Sequence, residues 1–309
     1  MHGRTSVRAR ERERAPMTST FELSPSRNGV HDTPRLELYF LSSFRAIRAG
    51  APITSHLTGK PRQFLKLLGA NGRRHVPKDA LIEMLWPEGH PGAGATSLKV
   101  VAHKLRTALE PEKETGEAGI WIEAAHGTYR LNPEAPVWID VDVFRNHWRR
   151  GCALQAEGRY AEARAEFAQA EELYAGDYLE EDLYEDWTII PREQLKDIHL
   201  DVLQRLAELA ERDDDHADVI RYCHKIVLAD PCREDGYRML MRSHGALNQL
   251  ARAGAWYAVC RQTLAREVGM PPNAETIETF ESLFQTAPPP ERPPLARGIR
   301  QTSISLTSV

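Results

Sequence analysis

The feature that most constrains this chain is a repeated helical pattern in its second half. Ala217 and Ala251 stand 34 residues apart, and so do Asp201 and Asp235, and Ala229 and Thr263. The segments GRYAEARAEFAQAEELY (158–174), DDHADVIRYCHKIVLADP (214–231) and QLARAGAWYAVCRQTLARE (249–267) share one plan. Each has a polar turn, a small residue, an apolar or aromatic pair and a charged end. A fixed period of this length belongs to stacked helical hairpins, because a single hairpin cannot bury its apolar face alone. The three segments read as the second helix of successive hairpins. The long amphipathic stretch 189–212 leaves room for two extra helices between the first and second repeat. The acidic, aromatic insert GDYLEEDLYEDW (176–187) reads as an exposed surface or as a connector whose aromatics pack under the next helix.

The first half follows another plan. Leu36, Leu38 and Phe40 alternate with polar positions, Phe44 to Ile47 follow, and Ala49 to Pro52 supply a turn, so a small antiparallel sheet opens the fold. Three helices come next. Phe64, Leu65, Leu67 and Leu68 give the first an apolar face. The second begins near Pro77, with Leu81, Ile82, Leu85 and Trp86 turned inward and Pro87 ending it. The third, TSLKVVAHKLRTALE, has Thr96 or Ser97 to cap its first turn. Two short strands around Ala125-His126-Gly127 then form a hairpin. Sheet, three helices and hairpin is the order of a winged helix-turn-helix. The fold class is therefore mainly α: an N-terminal α+β winged helix-turn-helix over 34–138, followed by an all-α tetratricopeptide-like helical repeat domain over 139–286. Residues 1–33 and 287–309, rich in Ser and Pro or in alternating charge, read as disordered tails.

Charge separates the two halves. The net charge of −4 combines a stretch 35–138 with 14 Lys and Arg against 10 Asp and Glu, and a stretch 139–286 with 17 against 29. Residues 60–109 hold nine Lys or Arg and three Asp or Glu, the footprint that phosphate binding requires. On the third helix, Leu98, Ala102, Leu105 and Leu109 make one stripe. The other side shows Thr96, Lys99, Val100, His103, Arg106 and Thr107, with Lys104 at the edge. A major groove offers base-edge acceptors, thymine methyls and rim phosphates, and this face answers each. Lys99, His103 and Arg106 are expected to read the groove. Thr96, Lys104, Lys78, Arg74 and Arg130 are expected to anchor phosphates. The competing account of such a face is an ordinary solvated amphipathic helix.

Other chemistries find little support. GHPGAGATS precedes a helix but lacks the Lys of a P-loop and follows a helix rather than a strand. His216, Cys223, His224 and Cys232 match no common zinc spacing, and Asp140 with Asp142 alone is no acid/base pair. Four scattered cysteines, no long apolar run and no secretory leader point to a reducing, cytoplasmic setting with no membrane partner. No cofactor, metal or enzyme activity is expected.

The stretches HVPKDALIEMLWPEGHPGAGATSLKVVAHKLRTALE, IEAAHGTYRLNP and WIDVDVF resemble the winged helix of the SARP-type bacterial regulators. GDYLEEDLYEDW and LADPCREDGYRMLMRSHGALNQLARAGAWYAVCRQTLAREVGMPPNAET resemble their bacterial transcriptional activator domain. The resemblance spans about 35–286. It implies a DNA-binding transcriptional regulator, usually an activator, with 95–109 as recognition helix, 77–86 as positioning helix and loop 87–94 as a contact for RNA polymerase. It also implies pairing side by side on promoter DNA, hence a homodimer. The wing reads HGTYRL where the family more often has consecutive glycines. The alternative is a protein-interaction adaptor whose winged helix and repeats bind proteins instead of DNA.

Overall fold

The computed structural model describes residues 35–88, 94–112 and 119–285. Both expected tails and the centre of the loop before the third helix lie outside them. Four strands form the first sheet: β1 (Leu36–Tyr39), β2 (Arg45–Arg48), β3 (Ala51–Pro52) and β7 (Val137–Ile139), in the order β3-β2-β1-β7. Leu36 and Leu38 are buried while Glu37 and Tyr39 are half-buried, the alternation that turns one face of a strand to a core. β1 pairs antiparallel with β2 and parallel with β7, so the last strand before the helical domain closes against the first.

The helices α1 (Lys60–Ala70), α2 (Lys78–Leu85) and α3 (Gly94–Leu109) bury their apolar stripes against one another and that sheet. α3 starts at Gly94, so Thr96 and Ser97 lie inside its first turn rather than before it. The wing is β5 (Ile122–Ala125) and β6 (Thr128–Leu131), joined by His126 and Gly127 with φ of 50° and 75°. Positive φ at both turn residues is the two-residue connection whose twist suits a hairpin. A two-residue strand, β4 (Val76–Pro77), pairs with β6 and ties the wing to the start of α2.

The second half is helical throughout. α4 (Asp140–Ala156) packs on α5 (Tyr160–Leu173), α6 (Asp186–Arg212) on α7 (His216–Ala229), and α8 (Glu234–Ala246) on α9 (Leu250–Glu267). α10 (Ala274–Gln285) covers α8 and α9. The three repeat segments are thus the second helices α5, α7 and α9. The starts of α7 and α9, His216 and Leu250, keep the 34-residue spacing. Between the first and second repeat there is one helix, not two: α6 runs 27 residues without a break. Pro191 lies in its second turn, where the missing N–H forfeits a single helical bond near the helix end.

The insert 176–187 is exposed along much of its length but is anchored at one point. Tyr178 and Leu179 are buried, and the Tyr178 ring stacks on Phe40 with centroids 5.7 Å apart. Leu41 and Ser42 form bridges with Tyr178. Tyr178 packs against the winged helix, whereas Tyr184 is 97% exposed, so the insert is part connector and part surface. Arg192 on α6 holds the insert's backbone, donating to the carbonyls of Tyr178, Leu179 and Asp182 at 2.9, 3.2 and 3.2 Å. Asp140, at the start of α4, completes the junction. Its carboxylate accepts the amides of Phe40, Leu41 and Val141 at 2.7, 2.8 and 2.7 Å. Burial pushes its pKa up to about 6, against the pull of those three amides. Its use is architectural: it satisfies backbone donors where β1 leaves the sheet.

Candidate nucleic-acid interface

Sequence arithmetic on α3 predicts which side faces inward. Leu98, Val101, Ala102, Leu105 and Leu109 are buried. Thr96, Lys99, Val100, His103, Lys104 and Thr107 are exposed. No acidic side chain stands on α3, and the side chains of Lys99, His103 and Lys104 make no hydrogen bond or ion pair with the described residues. The Thr107 hydroxyl donates back to the carbonyl of His103 at 3.1 Å. Val100 is 48% exposed, an apolar group in water on an otherwise polar face.

α2 and the wing meet beside this helix. The amide of Lys78 donates to the carbonyl of Gly127 at 2.9 Å, and His75 Nδ1 lies 2.9 Å from Thr128 Oγ1. The wing tip is thereby fixed to the N-terminus of α2, where Lys78 is exposed. Arg74, also exposed, contacts the carbonyl of Asn71 through Nε at 3.4 Å.

Two of the expected contact residues also bond within the chain. Arg106 is half-buried and donates from Nη2 to the carbonyl of Ile122 at 3.4 Å, so it bridges α3 to the wing strand. It occupies the inner edge of the polar face, where the return of β5 offers a nearer acceptor than any groove. Arg130 is paired with Glu123 across the wing hairpin at 2.7 Å. The two residues are register partners on β5 and β6, which sets opposite charges face to face.

The positive stretch 60–109 is likewise divided between uses. Arg62 and Lys66 pair with Glu181, and Lys66 also with Asp182, on the acidic insert. Arg73 donates to the carbonyls of Pro133 and Val137. Charge counting could not see this, because the partners lie 60 or more residues away in sequence. Arg74, Lys78, Lys99 and Lys104 remain outward on the helix-turn-helix and its approach.

Among the described residues, no group of three or more His, Cys, Asp or Glu is arranged to hold a metal ion, and no helix is long and apolar enough to cross a membrane. Cys223 and Cys260 are buried on α7 and α9, and burial pushes each thiol up to about 12, so both act as small apolar core residues.

The comparisons with known proteins agree with this architecture. A family model described as the bacterial transcriptional activator domain matches residues 139–283. The chain is 24% identical over 257 residues to the regulatory protein DnrI of Streptomyces peucetius, covering 82% of this chain and 93% of that one. It is 26% identical over 261 residues to the transcriptional regulatory protein EmbR of Mycobacterium tuberculosis, covering 82% of this chain and 64% of EmbR. A solved structure of EmbR in complex with a low affinity phosphopeptide superposes with a TM-score of 0.70 at 23% identity, over 82% of this chain and 66% of that one. That likeness extends over both halves of the fold. These relatives are regulatory proteins, and this chain joins a winged helix to a segment that matches the bacterial transcriptional activator domain.

Proposed function

We propose that this regulator binds promoter DNA by laying α3 in the major groove, and that it acts as an activator in the cytoplasm. Lys99, Val100 and His103 read base edges and thymine methyls. Thr96, Thr107, Lys104, Lys78 and Arg74 contact the rim and backbone, and Arg106 and Arg130 hold the wing in place. The observation that carries this reading is the α3 face: exposed cations without ionic partners among the described residues, on a helix whose opposite stripe is fully packed. The helical repeats then serve as the surface for RNA polymerase or for a second copy of the chain. The loop expected to touch polymerase falls largely at residues 89–93, outside the described residues, so this assignment rests on the family resemblance.

The experiment is selection of duplexes from a random library by the full chain, followed by titration of the enriched duplex across salt concentrations. Counterion release demands a linear fall of log affinity with log salt, at a slope set by the number of phosphates neutralised. No enriched sequence and no binding at low salt would overturn the reading. Capture of a protein through residues 139–286 in that case would favour the adaptor.

A further inference from the structure

We propose that a cleft on the flank of α3 binds a small amphipathic anion, an organic carboxylate with an apolar body, and that its occupant weakens DNA binding. The cleft holds about 700 Å³, within the range of roughly 300–1,000 Å³ typical of small-molecule sites. One wall is the C-terminal half of α3, with His103, Lys104 and Ala108. The other is strand β3 and the short 3-10 helix after it, with Pro52, Ile53 and His56.

Two properties set the ligand's chemistry. The floor is carbon, from Pro52, Ile53 and Ala108, which a hydrated phosphate backbone would leave unused. The rim carries the Lys104 ammonium and the His103 and His56 imidazoles, none with a side-chain hydrogen bond or ion pair to the described residues; among the described residues no acidic side chain lines the cleft, and Glu112 pairs with Arg48 at its end at 3.6 Å. Arg48 closes one end, fixed by a 2.8 Å hydrogen bond to the carbonyl of Leu109. An apolar body with one negative group satisfies floor and rim together, as in pockets where a few polar groups orient a mostly apolar ligand.

The coupling follows from shared side chains, and it alone rests on the DNA reading above. Lys104 and His103 belong both to the cleft and to the proposed DNA face. A carboxylate held by Lys104 withdraws that cation from phosphate, so the slope of log affinity against log salt becomes shallower by about one. By reciprocity, bound duplex must weaken the ligand to the same degree.

The test uses the full chain and 2-naphthoate, followed by protein-observed NMR, with neutral 2-naphthamide as the comparison. The proposal expects shifts centred on Ile53, His56, His103 and Ala108, and about ten-fold weaker binding of the amide, since a charge-assisted contact is lost. His56→Ala, an exposed substitution outside the DNA set, should weaken 2-naphthoate several-fold without altering the thermal midpoint. Shifts centred elsewhere, equal binding of acid and amide, or an unaffected His56→Ala variant would each overturn the site. Duplex affinity unchanged by saturating 2-naphthoate would overturn the coupling. Absence of duplex binding in the ligand-free protein would overturn the DNA reading and leave the NMR result standing.

Discussion

The ammonium of Lys66, on α1, lies 2.6 Å from the carboxylate of Asp182 on the insert of the helical domain. The Lys66 side chain is only 4% exposed and also meets Glu181. It joins the two halves through charges largely removed from water. Replacing it with Met leaves two carboxylates facing an apolar side chain, and loss of one partner of a buried pair is the costly case. Lys66→Met is expected to lower stability by about 3 kcal/mol in urea unfolding. Arg62→Ala, at a pair about a third exposed on both sides, should cost below about 1 kcal/mol because water screens it. Equal effects of the two substitutions would contradict this account of the junction.

What sequence reveals and conceals is visible at that same junction. The buried stripe of α3 was legible because Leu98, Ala102, Leu105 and Leu109 recur at helical spacing, a local signal that needs no partner. The hairpin turn at His126-Gly127 was legible for the same reason. The docking of Tyr178 on Phe40, and of Asp182 on Lys66, leaves no periodic trace, since each pair is more than 100 residues apart. Asp140 reads as an ordinary helix-start carboxylate, and only the fold reveals that it receives amides from β1 and its exit. The two arginines of the interface, Arg106 and Arg130, lie on the expected elements, and each also finds an intramolecular acceptor that residue type alone does not disclose.

Asp140 and His199 make opposing contributions to pH dependence. Burial raises Asp140 to about 6 from an ordinary 3.8, so the folded state takes up a proton first as pH falls. Its stabilising contribution is full below pH 3.8 and is lost as pH rises through about 6. His199 stacks on Tyr174 at 3.9 Å, and burial lowers it to about 4 from 6.5. The unfolded state protonates first there, so stability is full above pH 6.5 and falls as pH drops toward 4. Each amounts to on the order of 3 kcal/mol across its window, and the windows overlap, so wild-type stability should be nearly flat between pH 4 and 6 from these two groups. His199→Phe should make the protein gain stability on acidification, and Asp140→Asn should make it lose stability. Urea midpoints from pH 4 to 7 decide it, and parallel profiles for the two variants would refute the opposition.

Lys99 and Lys78 should separate base reading from phosphate anchoring. Lys99 lies on the outward face of α3, and Lys78 at the start of α2 beside the wing turn. Lys99→Ala is expected to cost ~1–3 kcal/mol on the selected duplex and to relax sequence preference. Lys78→Ala should weaken all duplexes alike and reduce the salt slope by about one. Binding of specific and scrambled duplexes at several salt concentrations checks both. A Lys99→Ala variant that retains full discrimination would remove that residue from the groove.

Gly151 on α4 sets how closely the first repeat hairpin can pack. A methyl group there would stand 2.5, 2.7 and 2.9 Å from ring carbons of Phe167 on α5, which is fully buried. The ring has little freedom to retreat, because Ala163 and Ala170 are buried on the same helix and the Arg205 guanidinium lies 5.8 Å from its centroid. Two effects of Gly151→Ala compete. Removing a glycine from a helix interior favours folding by about 1 kcal/mol, whereas overpacking a core costs about 1–3 kcal/mol or more. Three contacts below 3 Å against a rigid ring place this site at the upper end, so net destabilisation of about 2 kcal/mol is expected. The pair Gly151→Ala with Phe167→Leu distinguishes a clash from a general helix effect. Leucine removes the ring atoms that the methyl would strike, so the double variant should be more stable than the sum of the two single losses predicts, by about 1 kcal/mol. Strict additivity in calorimetric or urea unfolding would show that α4 and α5 separate freely, and that their spacing does not depend on the missing Cβ.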